Sequence, residues 1–144
     1  MERQPNILII DAQGGGVGRL LVSAIRQELP GAKLTAAGAN GAATAAMLKA
    51  GADQGATGEN AVVVACRRAD VILGPVGIVI ADSMLGEITP KMAAAVARSG
   101  AKRILIPFDH CDNVIVGVPE TGMKALVREA VSVLVETVKA GNFP

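Results

Sequence analysis

Apolar residues in this chain form short continuous runs that alternate with segments of helical periodicity. The run at residues 7–10 ends at Asp11 and a glycine cluster. A helix face then follows at i, i+3, i+4 and i+7 spacing, formed by Val17, Leu20, Leu21, Ala24, Ile25 and Leu29. The same alternation continues along the chain, so strands are predicted at 6–10, 33–37, 69–73, 101–107 and 114–118. Helices are predicted from the glycine-rich turn to residue 29 and at 42–50, 90–98 and 123–138.

Strands that alternate with helices predict an α/β protein. We expect a single three-layer, Rossmann-like domain over residues 1–144, with a mostly parallel sheet of about five strands and helices on both faces. The face of the last helix is predicted to be Met123, Leu126, Val127, Ala130, Leu134 and Val138.

Helix ends are marked by specific residues. Gly51 is placed to end the second helix, and Thr89 before Pro90 predicts an N-cap followed by proline in the first turn. Residues 61–68 are ambiguous, because a cap at Thr57 favours a helix whereas three consecutive valines favour a strand. Both alternatives stay open.

The turn after the first strand contains four glycines within five positions, Gly14, Gly15, Gly16 and Gly18. Glycine allows a ligand to approach the backbone closely, and the following helix offers unpaired amides and a positive dipole end. The turn therefore predicts a phosphate or carboxylate site, with Gln13 in the loop and Arg19 as a charge partner. The alternative is a turn whose glycines serve only close packing.

Known nucleotide motifs match this turn incompletely. The dinucleotide fingerprint would place its third glycine where the chain has Arg19, and the P-loop would have lysine at that position followed by Ser or Thr. The second strand leads to Asn40 rather than to the acidic residue that holds a ribose in NAD-binding domains. Asn40 is instead predicted to contact a sugar through its amide, and the cofactor is left as a possible nucleotide or dinucleotide.

In a parallel sheet the ligand crevice lies at the carboxyl ends of the strands. We therefore expect the loops at 11–18, 38–41, 74–77 and 107–113 to meet at one edge. Asp11 is placed to hold magnesium or a hydroxyl, or else to cap the loop. The glycine-rich loop at 51–60 is predicted to be a surface connection or a binding loop, and its polar residues are Thr57, Glu59 and Asn60. Asp82 and Glu87 are further candidate acids.

Four potential metal ligands, Asp109, His110, Cys111 and Asp112, are consecutive in the sequence. Adjacent residues do not all converge on one tetrahedral ion, so no metal site is predicted. His110 and Cys111 are not predicted to form a nucleophilic pair, because neighbours in an extended chain point in opposite directions.

The composition of the chain limits the classes of partner that we expect. The net charge is +1, and two phenylalanines are the whole aromatic content, so nucleic-acid binding is not expected. The mean hydropathy of +0.44 predicts apolar surface that meets another subunit, hence a homo-oligomer. No apolar segment is long enough for a membrane helix, and the two cysteines do not form a disulfide framework. A cytoplasmic protein is expected.

Three segments carry a resemblance to a known family: DAQGGGVG at 11–18, MLKAGADQGATGEN at 47–60, and Gly74-Pro75 followed by SMLGEITP at 83–90. The sequence resembles, from about residue 6 to residue 117, a short bacterial family common in anaerobes that is known as a domain of unknown function. The resemblance implies no activity, so the functional expectations rest on the residues alone.

The leading hypothesis is a protein that binds a nucleotide or other phosphorylated small molecule at the carboxyl edge of its sheet. An oligomeric scaffold or sensor subunit without catalytic activity is the alternative. A small enzyme that uses Asp11 and Glu59 is a third reading, although no catalytic set is recognisable. Two of the acids Glu59, Asp82 and Glu87 are candidates for a general acid and base pair.

Overall fold

A five-stranded parallel sheet forms the centre of the fold in the computed structural model, which describes residues 3–108, 113–118 and 122–144. Its strands lie in the order β3-β2-β1-β4-β5, and every neighbouring pair is parallel. The strands are β1 (Asn6–Asp11), β2 (Lys33–Gly38), β3 (Gln54–Thr57), β4 (Val71–Pro75) and β5 (Lys102–Ile106). The α/β prediction with a parallel sheet is confirmed.

Helices cover both faces of the sheet. They are α1 (Gly16–Glu28), α2 (Gly41–Ala50), α3 (Glu59–Arg68), α4 (Pro90–Arg98) and α5 (Met123–Lys139), with a short 3-10 helix at Val76–Val79 after β4. α1, α2 and α5 contribute to the core on one face, and α3 and α4 contribute to the core on the other. Within the described ranges, no helix is both long and apolar enough to cross a membrane.

The side chains of β1 alternate between these two cores. Ile7 and Ile9 belong to the core beneath α1 and α5, whereas Leu8 and Ile10 belong to the core beneath α3 and α4. Burial of each of these side chains stabilises the fold by about 1.5–3 kcal/mol. β1 is therefore buried on both faces, which explains its uninterrupted apolar run.

The helix signals in the sequence are largely confirmed. The Thr89 hydroxyl accepts a hydrogen bond from the Met92 amide at 3.1 Å, and Pro90 is the first residue of α4. The ambiguous segment 61–68 is helical, within α3, and Val62 and Val63 face its buried side. Tertiary burial therefore outweighs the strand preference of the valines.

The strand predicted at 114–118 is wrong, because the structure has no strand in that segment. The fifth strand is β3, in the segment predicted to be a loop. The predicted cap at Thr57 is also wrong: Thr57 is the last residue of β3, and Gly58 is the N-cap of α3. β3 lies at the sheet edge with all four residues exposed, so no pattern of buried positions marked it in the sequence.

The strand order places the reversal of chain direction across the sheet between β1 and β4. The chain moves outward from β1 to β3, and then crosses through α3 to β4 on the other side of β1. Such a topological switch point opens a crevice outside the carboxyl ends of the two central strands. The glycine-rich turn after β1 lies at this point.

Candidate functional site

A cleft of about 180 Å³ lies at the carboxyl ends of β1, β4 and β5. We call it the switch-point cleft. It is lined from the first turn by Asp11, Ala12, Gln13, Gly14, Gly16 and Val17, and from the other strand ends by Pro75, Met84 and Phe108. The predicted convergence at this edge is therefore observed for the turns after β1 and β4, while residues 109–112 lie outside the described part of the chain.

Asp11 is the most buried acid of the cleft, at 4% exposure. Its carboxylate accepts hydrogen bonds from the amides of Ala12 at 2.8 Å and Gly18 at 2.6 Å. Burial raises the pKa of Asp11, the amides of Gly18, Ala12 and Val17 act to lower that pKa, and the charge of Glu87 raises it further. Asp11 thus supplies an internal anion to the first turn of α1, which is the capping role weighed against ligand binding.

Glu87 connects the loop after β4 to the glycine-rich turn. Its two carboxylate oxygens lie 3.1 and 3.2 Å from the Gln13 amide nitrogen, and it also accepts from the side-chain amide of Asn40. Asn40 donates to the Gln13 carbonyl at 2.9 Å and caps α2 by accepting from the Ala43 amide at 2.9 Å. The side chain expected to contact a sugar is therefore engaged in holding three loops together.

The four glycines of the first turn divide into two pairs. A Cβ on Gly15 would lie 2.9 Å from the Ala43 Cα, and a Cβ on Gly18 would lie 2.6 Å from the Met47 sulfur. These two glycines allow α1 and α2 to pack closely. Gly14 and Gly16, in contrast, face the switch-point cleft, and a Cβ on either would have no atom within 4 Å.

The backbone amides of the same turn also fall into two groups, those with a hydrogen-bond partner and those without one. The Gly15 amide donates to the Ala12 carbonyl at 3.0 Å, and the Gly18 amide donates to Asp11. The amides of Gly14 and Gly16 make no hydrogen bond with any described residue. Two backbone donors therefore remain for a ligand, fewer than the turn suggested from sequence.

The other predicted site residues are not part of the cleft lining. Arg19 is exposed on α1 and forms no ion pair with the residues described. The Thr57 hydroxyl lies 2.8 Å from that of Thr44, Glu59 is the exposed first residue of α3, and Asn60 lines a separate groove beside β2 and β3.

Asp11 and Glu59 do not come together in one site. They follow β1 and β3, which are separated by β2. Two strand spacings correspond to about 10 Å. A small enzyme that uses both residues therefore has no support in the geometry.

Pro75 and Phe108 belong to the loops 74–77 and 107–113 that were expected at this edge, although neither was named as a site residue, and Met84 was not expected there. The sequence indicated the position of Pro75 near the cleft, because Pro75 ends a strand at the switch point. No such signal indicated Met84: it belongs to a turn in which Asp82, Met84 and Leu85 have left-handed backbone angles, with φ of 65°, 55° and 57°. Within this turn Asp82 is exposed and the Ser83 hydroxyl donates to the Gly77 carbonyl at 2.5 Å.

In the ranges 3–108, 113–118 and 122–144, no three His, Cys, Asp or Glu side chains are grouped to hold a metal ion. The run from Asp109 to Asp112 lies outside these ranges.

Solved structures with a similar fold are only distantly related. An FMN-dependent UbiX-like decarboxylase from Escherichia coli O157:H7, described as dodecameric, aligns with a TM-score of 0.43 at 16% identity, covering 91% of this chain and 92% of its own. A universal stress protein from Archaeoglobus fulgidus aligns with a TM-score of 0.40 at 16% identity, covering 72% of this chain and 98% of its own. At these values the likenesses carry no functional argument.

No curated protein shows significant sequence similarity to this chain. A family model does match, and it spans residues 6–139 and so nearly the whole fold. The chain therefore belongs to the family described as Domain of unknown function (DUF3842).

Proposed function

We propose that the protein binds a nucleotide or another phosphorylated small molecule in the switch-point cleft. The observation that supports this proposal is the pair of unpartnered amides at Gly14 and Gly16, two exposed glycines that line the cleft. Two such amides at the start of a helix favour an anionic oxygen, because they donate hydrogen bonds and carry the positive end of the helix dipole.

Glu87 sets a condition on this proposal. Its carboxylate already accepts a hydrogen bond from the Gln13 amide, next to the amides that would hold a phosphate. A phosphate therefore experiences repulsion from Glu87 unless a cation offsets that charge. Mg²⁺ is commonly bound by one or two carboxylates together with substrate phosphates, so we expect binding to be stronger when magnesium is present.

The test is isothermal titration calorimetry with nucleoside mono-, di- and triphosphates, with and without MgCl₂, on the wild type and on Gly16→Val. Gly16 lines the cleft and a Cβ there would meet no atom within 4 Å, so we expect valine at this position to narrow the cleft without disturbing the fold. We expect binding to be lost in a variant that remains folded. Gly31→Val is the matched control, because Gly31 is also open but precedes β2 at its amino end, at the opposite edge of the sheet.

Equal affinity of wild type and Gly16→Val would contradict the proposed site. A folded wild type that binds no phosphate compound would contradict the proposed ligand class. A ligand at about a hundred times its dissociation constant adds roughly 2.7 kcal/mol of stability, so a thermal-shift screen detects such binding before calorimetry.

A homo-oligomeric assembly is a second proposal, and exposed apolar side chains near the same edge favour it. Leu85 is 96% exposed, Val114 86% and Val116 92%, and Phe108 is 46% exposed at the cleft. Large apolar side chains with such exposure favour a subunit contact, and we expect it near this edge because Phe108 lines the cleft and Leu85 follows Met84 of the cleft lining.

A further inference from the structure

A second and larger cavity lies on the other side of the molecule, near the amino ends of the strands. It has a volume of about 750 Å³ and lies between α3, α4 and the segment that precedes β1. We call it the amino-edge groove. Its volume falls in the range of small-molecule sites, about 300–1,000 Å³. No part of the switch-point cleft contributes to it.

The charged side chains that line this groove are mostly positive. Arg67 and Arg68 from α3, and Lys91 and Arg98 from α4, line it and form no ion pair with any described residue. Its acidic side chain, Asp70, is already paired with Arg3 at 2.7 Å. Four uncompensated cations therefore surround one cavity in a chain whose net charge is only +1.

Helix stability accounts for three of these four cations but not for the fourth. Arg67, Arg68 and Arg98 lie in the last turns of their helices, where a cation suits the dipole. Lys91 is the second residue of α4, where a cation is unfavourable. Its position makes sense if its charge serves a ligand rather than the helix.

The floor of the groove consists mostly of small or apolar side chains. On α4, Lys91, Ala94, Ala95 and Arg98 share one face at i, i+3, i+4 and i+7 spacing. The two cations at its ends are therefore separated by seven residues, about 10 Å along the helix axis. On α3, Val63 and Cys66 complete the floor. Burial raises the pKa of the Cys66 thiol to about 11, so the floor adds no negative charge at neutral pH.

We propose that the amino-edge groove binds a small, elongated polyanion of the oligophosphate class. Arginine guanidinium groups bind phosphate oxygens in pairs of parallel hydrogen bonds, and a chain of several phosphates matches cations spread over about 10 Å. This site is independent of the phosphate site proposed for the switch-point cleft.

Inorganic tripolyphosphate is the probe, titrated by calorimetry at low ionic strength into the full chain. We expect Arg67→Gln/Arg98→Gln to weaken binding by about a hundredfold or more, since each substitution removes charge-assisted hydrogen bonds to phosphate. The control is Lys124→Gln/Arg128→Gln, which removes the same charge from exposed positions of α5, a helix that does not line the groove. Circular dichroism and urea unfolding establish that both double variants are folded.

Equal losses in the two double variants would show general charge attraction and overturn the proposal, as would the absence of binding by the wild type.

Lys91→Gln provides a second test: it should weaken tripolyphosphate binding and leave the protein at least as stable as the wild type. Gly16→Val should bind tripolyphosphate normally. If Gly16→Val loses nucleotide binding but keeps tripolyphosphate binding, both sites are supported; if tripolyphosphate binding also depends on Gly16, the groove is not its site.

Discussion

At the scale of single residues, Glu87 determines what the switch-point cleft accepts. We predict that Glu87→Gln raises the affinity for a phosphorylated ligand about tenfold without magnesium, which corresponds to roughly 1.4 kcal/mol of removed repulsion. Glutamine keeps an oxygen that accepts from Gln13 and Asn40, so the loops should stay in place. Calorimetry with and without MgCl₂ measures the effect.

Glu59→Gln is the control for this prediction, because it removes the same charge from an exposed position at the start of α3. We expect it to leave the affinity unchanged. A weaker affinity in Glu87→Gln would instead show that the carboxylate itself contacts the ligand, for instance through a hydroxyl, and would contradict the repulsion argument.

Asp70 provides a prediction about pH and stability. Burial acts to raise its pKa, but the hydrogen bond and charge of Arg3 and the amide of Asn6 outweigh this, so the folded-state pKa of Asp70 lies below its usual value. The stabilisation is therefore present above the unfolded-state pKa and is lost as the pH falls through the folded-state pKa. Asp70→Asn should lower the free energy of unfolding at pH 7 by about 1–3 kcal/mol and flatten its acid dependence.

Urea unfolding between pH 7 and pH 2 measures this profile. Asp82→Asn is the matched control, because Asp82 is exposed and its left-handed backbone angle suits asparagine. A wild-type profile reproduced by Asp70→Asn would contradict the role given to the Arg3 pair.

At the scale of elements, the contact between α1 and α2 depends on Gly15. An alanine there would have φ near 73° and its Cβ about 2.9 Å from the Ala43 backbone. We predict that Gly15→Ala destabilises the protein by about 2 kcal/mol, because left-handed backbone alone costs roughly 1–2 kcal/mol. Gly16→Ala should change the free energy of unfolding by less than about 0.5 kcal/mol, since its Cβ meets open space. Similar losses in both variants, measured by urea unfolding, would contradict this division of the glycines.

The elements also show which parts of the fold the sequence could predict. β1 and β4 are buried on both sides and follow an unmistakable apolar pattern. β3 has the sequence QGAT, with one β-branched residue and all four residues exposed. The pattern of hydrophobic residues therefore does not reveal its pairing with β2. The segment 114–118 has the opposite character: its valines have strand preference, yet Val114 and Val116 are largely exposed. Propensity without burial does not make a strand.

The candidate site was predictable only where it depends on local sequence. The glycine-rich turn and its position after β1 follow from the residues themselves. The contact from Glu87 to Gln13 joins positions 74 residues apart, and it arises because the turn at 82–86 folds back over the end of β1. The side chain that accepts from the Gln13 amide is therefore a product of tertiary structure, whereas the contact of Asp11 with the Gly18 amide is local and matches the capping role considered for Asp11.

At the scale of the whole molecule, the two proposed sites lie at opposite edges of the sheet. Four cations of α3 and α4 line the amino-edge groove, and the exposed Leu85 follows Met84, which lines the switch-point cleft. Glu87 and the exposed Leu85 belong to the same turn, so a subunit contact at Leu85 would lie beside the switch-point cleft. Assembly and ligand binding would then be coupled, because both would depend on the position of that turn.

Light scattering after size-exclusion chromatography tests the assembly. We predict that the wild type is larger than a monomer and that Leu85→Glu lowers its mass, because a charge buried without a partner at a subunit contact is strongly unfavourable. Val133→Glu is the control, since Val133 is 39% exposed on α5, away from the carboxyl-edge residues. A monomeric wild type would contradict the oligomer proposal and leave the ligand proposal standing. An oligomer that Leu85→Glu does not dissociate would mean that the contact lies elsewhere, with the free edge of β3 as the next surface to test.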